Sequence, residues 1–156
     1  QIERMSVLTK KADVASKKIT ELFFCMKKNV YLCNEEFCKY KTIMTLREVA
    51  RLLNGQVLLG ENRLDEEVTM GFASDLMSEV LTLKDTPMLI TGLCNMQTIR
   101  TCDMANLEYL VIVRNKKPTE EMLELAQESD MVVITSEYSM FKACGILYAD
   151  GILPLY

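Results

Sequence analysis

The chain has 156 residues, of which 49% are hydrophobic and 26% charged, and its formal net charge is −4. This composition is typical of a folded domain and excludes a largely disordered or collagen-like chain. The chain contains no His, which excludes, for this chain alone, catalytic triads with a His base and metal sites with His ligands. Because residue 1 is Gln, we expect a fragment or a processed chain.

Charge divides the chain into two parts of opposite sign. Residues 1–43 hold nine Lys/Arg and five Asp/Glu, a net charge of +4, whereas residues 44–156 carry −8. Lysine pairs recur in the first part as they would on the exposed face of a helix. A solvated helix face is therefore favoured over a surface for phosphates or anionic lipid, and we expect neither a nucleic-acid nor a membrane partner.

The first part is predicted to be a basic helical extension. Its apolar residues alternate spacings of three and four, which places them on one face of a helix that needs a packing partner. These residues are Ala12, Ala15, Ile19, Leu22 and Met26. We predict a boundary near residue 43, with the extension over 1–43 and an α/β domain over 44–156.

Six cysteines indicate reduced thiols and hence a cytoplasmic protein, because disulfide-rich secreted chains of this size rarely have so large a core. Three lie in each part: Cys25, Cys33 and Cys38, then Cys94, Cys102 and Cys144. The spacing of the first three matches no zinc or iron–sulfur pattern. A metal bound by these three thiolates and a fourth ligand from elsewhere stays open as an alternative.

The second part begins with a capping box, in which Thr45 and Glu48 satisfy the first turn of a helix. Gly55 is predicted to end this helix in a left-handed conformation. Short strands are predicted over Gln56–Leu59 and Glu67–Gly71. A helix follows over Asp75–Leu83, with Ser74 as its cap.

From residue 88 onward, apolar strands alternate with helices. Strand starts at residues 88, 109 and 131 lie 21 and 22 residues apart, and continuous apolar strands at such spacing indicate a parallel sheet covered by helices. The segments are strands Met88–Thr91, Tyr109–Val113 and Met131–Thr135, and helices Gln97–Asn106, one capped by Thr119 and ending at Ser129, and one beginning at Ser139. We therefore predict a three-layer α/β sandwich with a mostly parallel sheet.

Ligands of such sheets bind at the carboxyl ends of the strands, where hydroxyls, amides and cations cluster in this sequence. The predicted ligand-binding residues are Thr91, Gly92, Cys94, Asn95, Arg114, Asn115, Thr135, Ser136 and Ser139. Their chemistry suits an anionic ligand such as a nucleotide. The alternative is that the hydroxyls and amides cap helices and that the cations are solvated.

Catalytic motifs are missing: the chain has no GxxxxGK[ST] phosphate loop, no GxGxxG and no GxSxG. Two weaker hypotheses are a divalent-cation site formed by Asp75, Glu79 and Asp103, and a Cys94 nucleophile whose pKa is lowered by a helix dipole. Solvated carboxylates and an inert thiol are favoured over both. We expect no enzyme, no metal and no resident cofactor.

The segments resemble the DRTGG domain in their order and spacing. The resemblance covers about residues 44–153 and is greatest to the stand-alone branch related to the N-terminal domain of HPr kinase/phosphorylase. It is carried by Asp75–Leu81, Leu89–Gly92, Tyr109–Val113, Lys117–Glu121, Ile134–Ser136 and Ser139–Gly145. Where the family has its name-giving Asp-Arg and Thr-Gly-Gly, this chain has Cys94-Asn95 and Val113-Arg114-Asn115.

The resemblance implies a non-catalytic, typically dimeric three-layer α/β domain. Relatives lie beside phosphotransacetylase catalytic domains, or between CBS domains of regulated pyrophosphatases near adenine nucleotide effectors, and some accompany iron hydrogenase components. HPr kinase activity is not implied, because it resides in a P-loop domain. We expect a regulatory and homodimeric module that senses a nucleotide; partner domains or redox-enzyme subunits are further expected partners. The alternative is a hydrogenase-associated accessory protein with a cysteine-bound metal.

Overall fold

The structure is a computed structural model that describes residues 44–156. The predicted extension over 1–43, with Cys25, Cys33 and Cys38, lies outside the described residues. The described strands are β1 (Met44–Thr45), β2 (Gln56–Leu59), β3 (Glu67–Val68), β4 (Met70–Ala73), β5 (Met88–Thr91), β6 (Tyr109–Ile112), β7 (Val132–Thr135) and β8 (Leu153–Pro154). The helices are α1 (Leu46–Leu52), α2 (Met77–Val80), α3 (Met96–Met104), α4 (Glu120–Glu128) and α5 (Met140–Ala149).

Six strands form one sheet in the order β2-β7-β6-β5-β4-β8. All neighbours in it are parallel except β2, which runs antiparallel to β7 at one edge. In the centre, Leu89 lies opposite Leu110, and Ile90 lies opposite Val111. Strands β1 and β3 form a separate antiparallel pair. The predicted mostly parallel sheet is confirmed. The carboxyl ends of β4 to β7 lie together along one side of the sheet, which we call the carboxyl edge. The amino ends of the same strands lie along the opposite side, the amino edge.

Helices cover both faces of the sheet, which confirms the three-layer α/β sandwich. Successive strand residues point to opposite faces, so each central strand contributes to two cores. Ile90 and Val111 belong to the core beneath α1 and α5. Leu89 and Leu110 belong to the core beneath α2, α3 and α4. This burial on both faces explains why the central strands are continuously apolar.

The predicted N-terminal caps of α1, α4 and α5 are confirmed. Thr45 accepts a hydrogen bond from the Glu48 N–H, and the Glu48 carboxylate accepts from the Thr45 N–H, so the capping box is complete. Thr119 and Ser139 cap α4 and α5 in the same conformation. A short polar side chain that satisfies an early backbone N–H therefore marks these helix starts reliably.

Two predicted segments around β4 are wrong in extent. The predicted strand Glu67–Gly71 divides at Thr69, because Val68 pairs with Met44 whereas Gly71 pairs with Met88 of the main sheet. The predicted helix Asp75–Leu83 shortens to Met77–Val80. Ser74 is not its cap: the hydroxyl accepts from the Leu76 N–H in a turn before the helix.

The predicted end of α1 is also wrong in detail. Asn54, with φ of 45°, takes the left-handed conformation assigned to Gly55. Gly55 is needed for a different reason, since a Cβ there would lie 2.9 Å from both Ile134 Cγ2 and the Thr135 carbonyl. Among the described residues, no helix has the length and apolar character needed to cross a membrane.

Candidate functional site

The carboxyl edge of the sheet contains an ion pair that joins three strand ends. Asp75 lies two residues beyond β4, and its Oδ1 accepts from the Thr91 hydroxyl at 2.8 Å and from the Gly92 N–H at 2.7 Å. Its Oδ2 accepts from the Arg114 guanidinium at 2.5 Å. Burial opposes ionisation of Asp75, but these hydrogen bonds and the charge of Arg114 outweigh it and lower its pKa. We call Asp75, Thr91, Gly92 and Arg114 the Asp75 cluster.

Beside this cluster lies a groove of about 480 Å³, between the β6–α4 loop and the strands β2 and β7. Lys116 and Lys117 contribute two cations to its wall, and within the described part of the chain neither takes part in an ion pair. We call it the rim groove. It is lined by Asn54, Gln56, Leu58, Asn115, Lys116, Lys117, Pro118, Leu123, Thr135, Ser136 and Glu137.

The nine predicted ligand-binding residues lie in three places along this edge. Asn115, Thr135 and Ser136 line the rim groove. Thr91, Gly92 and Arg114 belong to the Asp75 cluster. The remaining three, Cys94, Asn95 and Ser139, lie outside the groove, and the two polar ones act as helix caps. Asn95 caps α3 by accepting from the Thr98 N–H at 2.9 Å, and Ser139 caps α5.

The hydroxyl groups at this edge serve the fold itself. The buried Ser136 Oγ donates to the Leu53 carbonyl at 2.7 Å and accepts from the Tyr138 N–H. Thr135 donates to the Gln56 carbonyl at 3.3 Å. Every buried polar side-chain atom in the described residues has a hydrogen-bond partner. The groups that remain free to meet a ligand are therefore the exposed amides and cations rather than the hydroxyls.

The weaker hypothesis, in which a helix dipole lowers the pKa of Cys94, is wrong. Burial raises the pKa of its thiol, and the nearby charge of Lys116 offsets this only in part. Burial also raises the pKa of Cys102, to about 12, and that of Cys144. A thiol must ionise to act as a nucleophile, so none of these three is activated.

The divalent-cation hypothesis also fails on geometry. In residues 44–156, no three Cys, Asp or Glu side chains lie together as metal ligands. Asp75 is occupied by its three donors, and Glu79 accepts from the Ser74 hydroxyl at 3.1 Å. Asp103 lies instead beside a cavity of about 200 Å³ at the opposite edge of the sheet. The Asp75, Glu79 and Asp103 site therefore does not assemble.

The opposite, amino edge of the sheet has its own charged cluster, centred on Arg63. The Arg63 guanidinium binds Glu66 at 2.8 Å, Glu108, and both the side chain and the carbonyl of Asp130. Tyr109 donates to Glu66 at 2.7 Å. Hydrogen bonding to Arg63 lowers the pKa of Glu66, and burial followed by the hydrogen bond to Glu66 raises the pKa of Tyr109 to about 12. We call these residues the Arg63 cluster.

Several residues of the carboxyl edge are absent from the predicted set. The sequence predicts Asp75 only as a candidate metal ligand, whereas in the structure it accepts hydrogen bonds from Thr91, Gly92 and Arg114. The predicted strand ends at Gly71, whereas β4 ends at Ala73. The prediction therefore did not place Asp75 directly after a strand, at the carboxyl edge. Gln56 and Leu58 come from β2, whose antiparallel pairing with β7 brings them to the groove. Such pairing between distant segments leaves little signal in the local sequence.

No protein-family model matches the chain, and no curated protein matches it. The fold is similar to the crystal structure of the CBS and DRTGG domains of the regulatory region of Clostridium perfringens pyrophosphatase, complexed with the activator diadenosine tetraphosphate. The TM-score is 0.59 at 16% sequence identity, over 86% of this chain and 57% of that one. This chain therefore spans little more than half of that regulatory region. The likeness shows a shared fold, and it agrees with the resemblance to the DRTGG domain.

Proposed function

We propose that this domain is a non-catalytic regulatory module that binds a nucleotide in the rim groove. The supporting observation is the pairing of two exposed lysines with an apolar wall. Lys116 and Lys117 suit the phosphates, while Leu58 and Leu123 offer apolar contact to a base. The volume of about 480 Å³ is that of an ordinary small-molecule site.

The similar pyrophosphatase region supports the choice of nucleotide. That region is regulatory, and its crystal structure holds diadenosine tetraphosphate as an activator. A polyphosphate linker would gain from two adjacent cations, since each phosphate carries negative charge. The raised pKa of the Cys94 thiol favours binding over thiol chemistry at this edge. Adenine nucleotides and diadenosine tetraphosphate are therefore the first probes.

Isothermal titration calorimetry of the full chain with ATP, diadenosine tetraphosphate and adenosine tests this proposal. The double variant Lys116→Ala/Lys117→Ala should weaken ATP binding about tenfold or more, because two charge-assisted contacts are lost. The matched control is Lys84→Ala/Arg100→Ala, which removes the same charge from exposed positions outside the groove. An equal loss in both double variants, or no ATP binding by the wild-type chain, would contradict a nucleotide site in the rim groove.

A second part of the proposal is that two copies associate through the outer face of α5. Phe141 is 91% exposed and Tyr148 is 55% exposed on the same face, with Gly145 between them. A symmetric antiparallel crossing near Gly145 would place each Phe141 close to the Tyr148 of the other copy.

Light scattering of the full chain measures this association directly. A dimer has twice the chain mass of 17.8 kDa. Phe141→Ser should shift the mass to that of one chain, because a large exposed aromatic side chain is a typical interface anchor. Met104→Ser is the control, since Met104 is 69% exposed on α3. A wild-type chain that stays monomeric, or a Phe141→Ser variant that stays dimeric, would refute this interface.

A further inference from the structure

Two successive residues connect the Asp75 cluster to the rim groove. The Arg114 guanidinium lies against Gly92 and binds Asp75, whereas Asn115 lines the groove on the other side. Lys116 and Lys117 follow directly and form the cationic wall. The residues that line the groove therefore begin directly after Arg114.

The backbone at this junction is held in an unfavourable conformation. Arg114 has φ of 67° and Asn115 has φ of 54°, and both lie in the left-handed region. Asn tolerates this region comparatively well, but Arg does not. Their N–H groups donate to the Tyr138 carbonyl at 2.8 Å and to the Ser136 carbonyl at 3.0 Å. Strained residues persist only where surrounding contacts fix them, and such strain is concentrated at functional sites.

We propose that Asp75 and Arg114 form a clamp that positions Asn115, Lys116 and Lys117 for the phosphates of the ligand in the rim groove. This inference rests on the proposed function. The clamp holds the Arg114 side chain across Gly92, which keeps the loop in its left-handed path. Arg114 is therefore a positioning residue, and the lysines contact the ligand.

Gly92 offers a way to release the clamp without changing any charge. Its φ lies outside the left-handed region, so its backbone accepts Ala. A Cβ at this position would overlap the Arg114 guanidinium, which is the far end of a flexible side chain and must move away. The Gly92 N–H and the Thr91 hydroxyl still donate to Asp75. Gln127→Ala is the control, because Gln127 is exposed on α4 and lies outside both the Asp75 cluster and the rim groove.

The first readout is amide hydrogen exchange in the ligand-free full chain. In Gly92→Ala, exchange at the Arg114 and Asn115 amides, which donate to the Tyr138 and Ser136 carbonyls, should be about fivefold faster than in the wild-type chain, as expected when a local contact is released. It should be unchanged in Gln127→Ala. Asp75→Asn should show the same acceleration, whereas Asp85→Asn, at an exposed position in the loop before β5, should not.

The second readout separates positioning from general loss of structure. In Gly92→Ala, ATP affinity should fall about fivefold, since the lysines lose their alignment with the phosphates, while adenosine affinity stays unchanged. Unchanged exchange at the Arg114 and Asn115 amides, or equal losses for ATP and adenosine, would overturn the clamp. Failure of the wild-type chain to bind ATP would overturn the proposed function, and the exchange measurement would still decide whether Arg114 holds the loop.

Discussion

The two edges of the sheet each hold an arginine bound to carboxylate, but they differ in the balance of charge. At the amino edge, the Arg63 side chain is only 14% exposed and is surrounded by three acidic residues. At the carboxyl edge, the Arg114 side chain is 47% exposed and binds one, Asp75, and the nearby groove is lined by Lys116 and Lys117 with a single acidic residue, Glu137. The amino edge therefore has an excess of anions, and the carboxyl edge retains cations that a ligand can neutralise.

This difference separates a structural cluster from a candidate binding site. The Arg63 cluster joins the β2–β3 connection to the starts of β6 and β7 through contacts far apart in sequence. The guanidinium of Arg63 and the carboxylates of this cluster bind one another. The lysines of the rim groove have no such partners among the described residues, so they are available to an anionic ligand.

The largest expected effect is on stability at the amino edge. Arg63→Ala should lower the free energy of unfolding by about 2 kcal/mol, because it leaves crowded carboxylates without a counter-charge. The loss is smaller than for a fully buried pair, since the side chains of Glu66, Glu108 and Asp130 are 38%, 56% and 87% exposed. Urea unfolding measures it, with exposed Arg100→Ala as control. Equal losses in the two variants would show that the cluster is not structural.

Ser136→Ala tests whether a residue that lines the rim groove serves the fold instead. Removing the buried hydroxyl leaves the Leu53 carbonyl without its donor, which should cost about 1.5 kcal/mol. ATP affinity should be unchanged. Urea unfolding and calorimetry measure the two quantities, and the exposed Ser78→Ala serves as control. A loss of ATP affinity with full stability would instead make Ser136 a ligand contact.

Acid pH should weaken the carboxyl edge through Asp75. Its folded-state pKa is lowered, so its stabilising contribution is present above about pH 4 and is lost as the pH falls below that value. The stability difference between the wild-type chain and Asp75→Asn should therefore shrink between pH 6 and pH 3. Because the side chain is 42% exposed, this change should stay below about 1 kcal/mol. A difference that grows on acidification would contradict the assignment.

The smallest effect is expected from the lysines themselves. Lys116→Ala/Lys117→Ala should change the free energy of unfolding by less than about 0.5 kcal/mol, because both side chains are exposed and unpaired in the described part of the chain. Urea unfolding at low and moderate salt measures this. A large loss would remove the contrast with Arg63 and give the lysines a structural role.

Local sequence patterns were sufficient for the parts of the fold that depend on neighbouring residues. Thr45 with Glu48, Thr119 and Ser139 cap helices as predicted, because a cap is satisfied within one helical turn. The apolar runs that became β5, β6 and β7 predicted a buried parallel sheet. Their carboxyl ends lie together in the structure, since parallel strands all end on the same side, and this remains the edge at which a ligand is predicted.

What the sequence by itself determined is the layering of helices on a parallel sheet and the edge at which to look for a ligand. Only the tertiary structure decided which side chains at that edge bind one another. In the tertiary structure, Asp75 binds Arg114, the Ser136 hydroxyl donates to the Leu53 carbonyl, and β2 pairs with β7 and so completes the groove. The physical reason is range: caps and apolar periodicity act over a few residues, whereas these contacts join segments separated by 39 to 83 positions.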